Sequence, residues 1–206
     1  MSPEQVLARG VTQLGMEVSL DAQQKMLAYL ELLQKWNKVY SLTAIHQPGQ
    51  MVSHHLLDSL AVLPYLWPGR WLDVGCGAGL PGLVLALMRP DWTFTLLDSN
   101  SKKTSFVQQA VIELELRNVS VCCVRVEDWQ PKEKFDGIIS RAFAELAKFT
   151  ALTRHLLAQD GGWVAMKGAP EQELERLPMG IVVEQVIQLQ VPSLDAARSL
   201  VLLKAT

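Results

Sequence analysis

Apolar residues in the first third of the chain recur every three or four positions, a spacing typical of helices that pack on a core. Met26, Leu30 and Leu33 share one face of such a segment, and Trp36 on that face is more typical of a core residue than of a base-stacking surface. We find no convincing strand in this part of the sequence. Residues 1–66 therefore predict a helical N-terminal extension packed on the rest of the chain. The predicted helices are residues 3–15, 19–43 and 48–66.

From residue 70 the pattern changes to short runs of β-branched and aromatic residues that alternate with helical segments. Such alternation favours a parallel sheet covered by helices on both faces. The last two strands have no long helix between them, so a hairpin is expected to close the sheet. Residues 67–206 therefore predict an α/β, Rossmann-like domain whose sheet is mostly parallel with an antiparallel C-terminal strand. The predicted strands are residues 70–75, 92–99, 119–126, 135–142, 161–168, 180–191 and 199–205, and the helices between them are residues 82–90, 102–116 and 146–157.

Composition and charge limit the classes of function. The 206 residues are 49% hydrophobic, enough for a substantial core. No apolar run approaches the roughly 20 residues that a membrane span needs. The N-terminus lacks the basic-then-apolar layout of a secretion signal, so a cytoplasmic location is expected. The net charge of −2 argues against binding to bulk duplex DNA, and a nucleic acid would have to be gripped by a local patch.

The three cysteines form no C-x-x-C pair, which argues against a zinc site or a disulfide framework. Cys76 lies among glycines, whereas Cys122 and Cys123 are adjacent in a predicted strand. We therefore expect three buried thiols in a reducing compartment, and no metal site.

The turn after the first predicted strand reads DVGCGAGLPG and concentrates glycines where a Rossmann-like sheet binds its ligand, beyond the carboxyl ends of the strands. Gly77, Gly79 and Gly82 match G-x-G-x-x-G, a dinucleotide pattern that is weak by itself. Gly75, Gly77 and Gly79 also complete D-x-G-x-G-x-G after Asp73, a loop associated with S-adenosylmethionine. The glycines alone leave both cofactors open.

Two carboxylates favour S-adenosylmethionine. Asp73 ends the first strand, where a carboxylate would receive an ammonium group better than a pyrophosphate. Asp98 ends the second strand, where an acid can accept hydrogen bonds from both ribose hydroxyls. A dehydrogenase would also need a catalytic domain, for which too little chain remains. The residues expected at this end of the cofactor are Asp73, Gly75, Gly77, Gly79 and Asp98.

The ends of the next two strands predict the rest of the cofactor site. Glu127 follows the third strand, where it would accept a hydrogen bond from an adenine amino group, with Val126 against the ring. Asp128 competes with Glu127 for that role. Arg141 ends the fourth strand at the reacting end of the cofactor, where functional and structural roles are equally expected. It is the catalytic candidate.

The segment after the fourth strand limits the acceptor. Methyltransferases that act on the adenine amino group carry an Asn/Asp-Pro-Pro-aromatic stretch there, whereas this chain has Ser140, Arg141, Ala142 and Phe143. No cysteine lies there to form a covalent thiol adduct. A site without a nucleophile or a clear general base suits an acceptor with a free lone pair, such as guanine N7. Its methylation depends on in-line positioning more than on proton removal.

Six segments then carry a specific resemblance: LQKWNKVYSLTAI, HLLDSLAV, WLDVGCGAGLPGLVLAL, TLLDSNSKK, FDGIISRAFAEL and VPSLDAARSLVLLK. Over nearly the whole chain they resemble the bacterial small-subunit ribosomal RNA guanine-N7 methyltransferase family, also called glucose-inhibited division protein B. The resemblance implies a class I methyltransferase sheet and methyl transfer from S-adenosylmethionine to N7 of a guanine in the decoding region of 16S RNA. By position it also implies cofactor contacts from Gly75, Leu80, Val126, Glu127 and Arg141.

Basic side chains are the candidates for RNA contact, although lysines on helix faces are usually only solvated. His55 lies near Asp58 by helical spacing, where a structural His–Asp pair is equally expected. Because no basic run dominates, the folded RNA would be recognised largely by shape. The expected partner is small-subunit ribosomal RNA or an assembling small subunit, bound by a monomer. The candidates are Lys38, His55, Lys102, Lys103, Lys167 and Arg198, followed by Lys35, His54 and Arg141.

Three other functions stay open at this point. The chain is also compatible with a small-molecule or protein methyltransferase, with a non-catalytic ribosome-assembly factor that retains the fold, and with a nicotinamide-binding module. Intact Asp73, Asp98 and glycine loop argue against an assembly factor with a decayed cofactor site.

Overall fold

The computed structural model describes residues 1–206 and confirms an α/β fold with a helical N-terminal region. The helices are α1 (Pro3–Gln13), α2 (Leu20–Tyr40), α3 (Pro48–Met51), α4 (Asp58–Leu60), α5 (Gly82–Met88), α6 (Ser101–Glu113), α7 (Leu146–Thr153) and α8 (Glu171–Leu174). The strands are β1 (Arg70–Val74), β2 (Thr93–Asp98), β3 (Val119–Cys123), β4 (Phe135–Arg141), β5 (Leu157–Lys167), β6 (Ile181–Leu189) and β7 (Arg198–Ala205). No helix is both long and apolar enough to cross a membrane.

The N-terminal helices begin where side chains can bond their free amides. The Ser2 hydroxyl accepts a hydrogen bond from the Gln5 amide, and the Gln5 side chain returns one from the Ser2 amide. Ser19 caps α2 in a similar way through the Ala22 amide. The predicted third helix, 48–66, is interrupted: a π-helical segment, Val52–Leu57, joins α3 to α4. Its backbone bonds span five residues, so side chains follow a different spacing from that of an α-helix.

The sheet has the strand order β3-β2-β1-β4-β5-β7-β6. Strands β1 to β5 pair in parallel, whereas β7 is antiparallel both to β5 and to β6. The prediction of a mostly parallel sheet with an antiparallel C-terminal strand is confirmed. The chain leaves β1 toward β2 on one side and reaches β4 on the other, so the strand order reverses at the carboxyl end of β1.

Two strand boundaries differ from the predicted ones. The strand predicted to extend to residue 126 ends at Cys123, because its one partner, β2, ends opposite it at Asp98. Val126 instead begins a short 3-10 turn. Strand β5 begins at Leu157, earlier than predicted, because Leu157 pairs with Phe135 before an irregularity in the register.

Each face of the sheet has its own core. On one face the N-terminal helices, α5 and α6 form a cluster of 39 buried residues that includes Leu7, Met26, Trp71 and Phe106. On the other face α7 covers a cluster of 15 buried residues around Trp163. The helices before residue 66 thus share a core with the sheet, and the division into segments 1–66 and 67–206 stays a prediction.

The prediction of three buried thiols is wrong for two of the cysteines. Cys76 is buried within the glycine loop, but Cys122 is half-buried and Cys123 is exposed. Both belong to β3, which lies at an edge of the sheet and is covered less than the central strands.

Replacing Gly137 with alanine is expected to destabilise the protein. A Cβ atom there would lie 2.5 Å from ring carbons of Trp71, a side chain with no exposed surface. Overpacking of this kind costs about 1–3 kcal/mol, more than the 0.5–1 kcal/mol that alanine usually gains over glycine in a strand. Urea unfolding measures the difference. Gly49→Ala is the control, because its Cβ atom would meet nothing within 4 Å; equal stability of the two variants would contradict the packing argument.

Candidate active site

The glycine loop follows β1 and turns the chain back toward α5. Gly75, Gly77 and Gly79 have φ angles of +67°, +57° and +86°, a region that residues with a Cβ atom rarely adopt. The amides of Gly75 and Cys76 donate to the Leu97 carbonyl at 2.8 and 3.1 Å. These bonds hold the start of the loop against the end of β2.

Asp73 lies beneath this loop with no exposed surface. Its Oδ2 accepts a hydrogen bond from the Gly82 amide at 2.7 Å, while Oδ1 is buried without a partner. Burial raises the pKa of the Asp73 carboxyl to about 7, although the Gly82 amide and the charge of Arg141 act in the opposite direction. A buried acceptor without a partner is costly, and the ammonium group of S-adenosylmethionine would satisfy it.

The first cleft, of about 290 Å³, opens beside the glycine loop along the ends of β1, β2 and β3. Gly75, Asp98, Val126 and Glu127 line it, whereas Asp128 does not. Asp98 accepts hydrogen bonds from the amides of the loop and of the turn after β2, at 3.0 and 2.9 Å. An acid held in this way at the end of β2 suits a ribose, so the residues present fit S-adenosylmethionine.

Other predicted cofactor residues do not line the first cleft. Gly77 contributes its amide to Asp98, and Gly79 packs against Leu83. The Leu80 side chain is only 2% exposed and belongs to the core beneath the loop. These residues shape the loop, and their contacts to a cofactor stay predictions.

The second cleft, of about 470 Å³, adjoins the first, and both are lined by Ala142. Arg141 donates from Nη1 to the His54 carbonyl at 2.9 Å and to Asp58 Oδ2 at 3.3 Å. Arg198 donates from Nε to Asp58 Oδ1 at 3.0 Å. Two of the predicted RNA or catalytic residues are therefore brought together by one carboxylate that is 1% exposed.

His55 lines the second cleft, and its predicted contact with RNA stays a prediction. Its ring Nε2 lies 3.1 Å from Thr43 Oγ1, its Nδ1 has no partner, and only 5% of the residue is exposed. Burial lowers the pKa of His55 to about 4, so the ring is neutral at physiological pH. The predicted His55–Asp58 pair does not form, because His55 lies within the π-helical segment and Asp58, which follows it, is engaged by Arg141 and Arg198.

Lys167 ends β5 and is used within the protein. Its Nζ donates to the Ala144 carbonyl at 2.7 Å and forms an ion pair with Glu173 at 2.8 Å. Glu173 also accepts the Leu146 amide, so the α7 end of the segment between β4 and α7 is tied down. That segment includes Ala142, whose φ angle is +56°, and it separates the two clefts.

The remaining RNA candidates lie on the surface. Lys38 and Lys102 are exposed, and Lys103 is half-buried and lines the first cleft. The start of α6, which carries Lys102 and Lys103, is anchored by the Asn100 side chain. The roles of these lysines in RNA contact stay predictions.

Three residues of the site have roles that the sequence did not predict: Asp58, Phe143 and Glu173. Phe143 lines the first cleft, and a Cβ atom added to Gly75 would lie 2.5 Å from its ring. A signal existed only for Asp58, which interrupts the apolar run HLLDSLAV and needs a partner there. Nothing in the sequence identifies those partners as Arg141 and Arg198.

Comparison with known proteins decides the family. The family model described as rRNA small subunit methyltransferase G matches residues 22–201. The chain belongs to this family. A ribosomal RNA small subunit methyltransferase G from Laribacter hongkongensis is 52% identical over 202 residues, 98% of each chain. Another, from Chromobacterium violaceum, is 53% identical over 197 residues, 95% of this chain and 94% of the relative. The predicted family and the prediction of a methyltransferase are confirmed.

Solved structures agree with the family in fold. A SAM-dependent methyltransferase from Aquifex aeolicus has a TM-score of 0.58 and 20% identity, and covers 76% of this chain and 93% of its own. The glycopeptide N-methyltransferase MtfA, complexed with S-adenosylmethionine, has a TM-score of 0.64 and 10% identity. The match covers 74% of this chain and 87% of the MtfA chain. The predicted class I methyltransferase sheet is confirmed.

Asp73→Asn is expected to bind S-adenosylmethionine about tenfold or more weakly, because it removes the charge that pairs with the ammonium group. Its stability should depend on pH differently from that of the unchanged protein. Between the ordinary pKa of 3.8 and about 7, folded Asp73 holds a proton that the unfolded chain has lost. The free energy of unfolding of the unchanged protein therefore falls as pH rises through this window, and the variant lacks that fall.

Urea unfolding at pH 4 and pH 8 measures the effect. The variant should gain roughly 2–4 kcal/mol relative to the unchanged protein between these pH values. Asp91→Asn, at an exposed carboxyl, serves as the control. A difference between Asp73→Asn and the unchanged protein that does not vary with pH would rule out a raised pKa at Asp73.

Asp98→Ala is expected to weaken S-adenosylmethionine binding at least about tenfold, because it removes the acceptor for the ribose hydroxyls and releases one amide of the loop and one of the turn after β2. Calorimetric titration measures the dissociation constant. Asp128→Ala is the matched control, since this nearby acid lies outside the first cleft. Unchanged affinity in Asp98→Ala would remove the ribose assignment.

Proposed function

We propose that this protein transfers a methyl group from S-adenosylmethionine to N7 of a guanine in the 16S ribosomal RNA of the small subunit. One observation carries the proposal: two adjoining clefts share Ala142, with the acids of a cofactor site in one and two fixed arginines in the other. This arrangement occurs in a chain of the rRNA small subunit methyltransferase G family.

The groups in the second cleft favour an acceptor that needs no proton removal. Both Asp58 oxygens accept hydrogen bonds from arginines, so this carboxylate is a poor general base. His55 is buried and neutral, with Nε2 against Thr43. Guanine N7 carries a lone pair and no proton, and it needs only to be held in line with the methyl group. When bound, S-adenosylmethionine supplies that methyl group on a positively charged sulfur.

The cysteines support the same acceptor. Methylation of pyrimidine C5 requires a thiolate that attacks the base. Cys76 is buried within the glycine loop, and burial raises its pKa well above the ordinary value. Cys122 and Cys123 lie on the edge strand β3, and none of the three lines the second cleft. Lone-pair attack by N7 uses none of these groups.

The RNA would be held by local charge and by shape. Lys102 is exposed at the start of α6, shortly after the end of β2, and Lys38 is exposed and lines a cavity that shares Ile45 with the second cleft. Each lysine that neutralises a phosphate adds salt-dependent affinity. With a net charge of −2, the protein depends on the folded RNA of an assembling small subunit for the rest of its selectivity. In this proposal it acts as a monomer in the cytoplasm.

Methyl-labelled S-adenosylmethionine tests the proposal. The label is offered with 16S RNA, small subunits and transfer RNA, all from cells that lack the protein. We expect label only in small-subunit RNA, at one guanine whose chain is cleaved by chemistry specific for N7-methylguanine. Asp73→Asn serves as the control with an impaired cofactor site. Label in transfer RNA instead, or no label despite measurable cofactor binding, would refute the proposed substrate.

A further inference from the structure

Asp58 connects three distant parts of the chain. It begins α4 after the π-helical segment, and its two oxygens accept hydrogen bonds from Arg141 at the end of β4 and Arg198 at the start of β7. The carboxylate is 1% exposed, while the two arginine side chains are 24% and 26% exposed. The nitrogen atom that bonds Asp58 in each arginine is therefore fixed inside the protein, and the partly exposed remainder of each side chain lines the second cleft.

The charges of the second cleft leave it positive. Arg141 and Arg198 outnumber Asp58, Lys167 is paired with Glu173, and His55 is neutral. A guanidinium has five N–H donors, and within the protein Arg141 uses only Nη1. Donors therefore remain for acceptor atoms of a ligand.

Guanine offers such an acceptor beside the reacting atom. Its O6 neighbours N7, whereas adenine carries an amino donor at the equivalent position. An arginine donor at that point favours guanine and disfavours adenine.

An arginine free to turn would create a difficulty. Arginine commonly binds guanine through O6 and N7 together, and that contact would engage the lone pair that must accept the methyl group. Asp58 and the His54 carbonyl hold Nη1 of Arg141 from two directions. A guanidinium held in this way can donate to O6 while N7 stays available.

We infer that Asp58 is a positioning residue, which fixes Arg141 so that it reads guanine O6 without covering N7. This inference rests on the proposed function, because it presupposes methyl transfer to guanine N7. Arg198 supplies the second cation that holds Asp58 in place. The role differs from simple support of the fold, since it predicts an effect on base discrimination.

The experiment compares two acceptor bases in assembled small subunits. Their RNA carries either guanine or 2-aminopurine at the nucleotide that receives the methyl group. 2-Aminopurine keeps N7 and the exocyclic amino group and lacks O6. The unchanged protein is compared with Asp58→Asn, and Glu184→Gln is the matched control. Glu184 forms an ion pair with Lys204 on the β6–β7 hairpin, outside both clefts. Rates, KM and S-adenosylmethionine affinity are measured for each protein.

We expect Asp58→Asn to lower kcat on guanine about tenfold without raising KM, because the base still binds but its N7 is partly covered. Its preference for guanine over 2-aminopurine should fall at least about fivefold. S-adenosylmethionine affinity should stay within about twofold, and Glu184→Gln should match the unchanged protein. An unchanged guanine preference in Asp58→Asn would overturn the inference, whatever happens to the rate.

A double variant and the reaction of the unchanged protein complete the test. If Asp58→Asn fails to fold, the double variant Asp58→Asn with Arg198→Gln removes one charge of each sign and leaves Arg141 an amide oxygen as acceptor; its guanine preference is then measured, with the same two outcomes. If the unchanged protein places no methyl group on guanine N7, the proposed function itself fails. That result is distinct from a normal reaction with unaltered discrimination in the variants.

Discussion

The hydrogen bond from the Gly82 amide to Asp73 is the contact on which the site depends. At 2.7 Å it joins β1 to the first residue of α5 and closes the glycine loop between them. The bond occupies one oxygen of a carboxylate that has no exposed surface and leaves the other without a partner. A single buried acid thus shapes the loop and also disfavours anionic ligands at the loop, because an anion there would meet a carboxylate.

The N-terminal helices complete the site as well as cover the sheet. Tyr29 of α2 donates its hydroxyl hydrogen to the Ala78 carbonyl of the glycine loop at 2.8 Å. Asp58 and His55, from the next helical segment, form a wall of the second cleft. The strand ends of the Rossmann-like sheet supply the first cleft, and the added helices supply much of the second. The N-terminal region thus contributes Asp58 and His55 to the acceptor side, whereas strands of the sheet supply its two arginines.

The cofactor residues predicted from the sequence lie at the carboxyl ends of parallel strands or in the turns that follow them. Gly75, Asp98 and Glu127 meet in one cleft because the carboxyl ends of parallel strands meet at one edge of a sheet. The partners of Asp58 were not predictable in this way, since they lie 83 and 140 residues away. His55 was misplaced because α-helical spacing does not hold in a π-helical segment. The exposure of Cys123 depends on the order of strands, which composition does not contain.

The position of Arg198 has a consequence for the order in which the protein becomes competent during synthesis. The residues that line the first cleft end at Leu152, whereas the second cleft requires β7, which inserts between β5 and β6. A chain emerging from the ribosome therefore has all the lining residues of the first cleft well before Arg198 is made. Until β7 has joined the sheet, Asp58 holds at most one of its two cations. The acceptor side is assembled last, so a chain that stops before β7 retains the lining of the cofactor cleft but lacks the second arginine needed to hold a base.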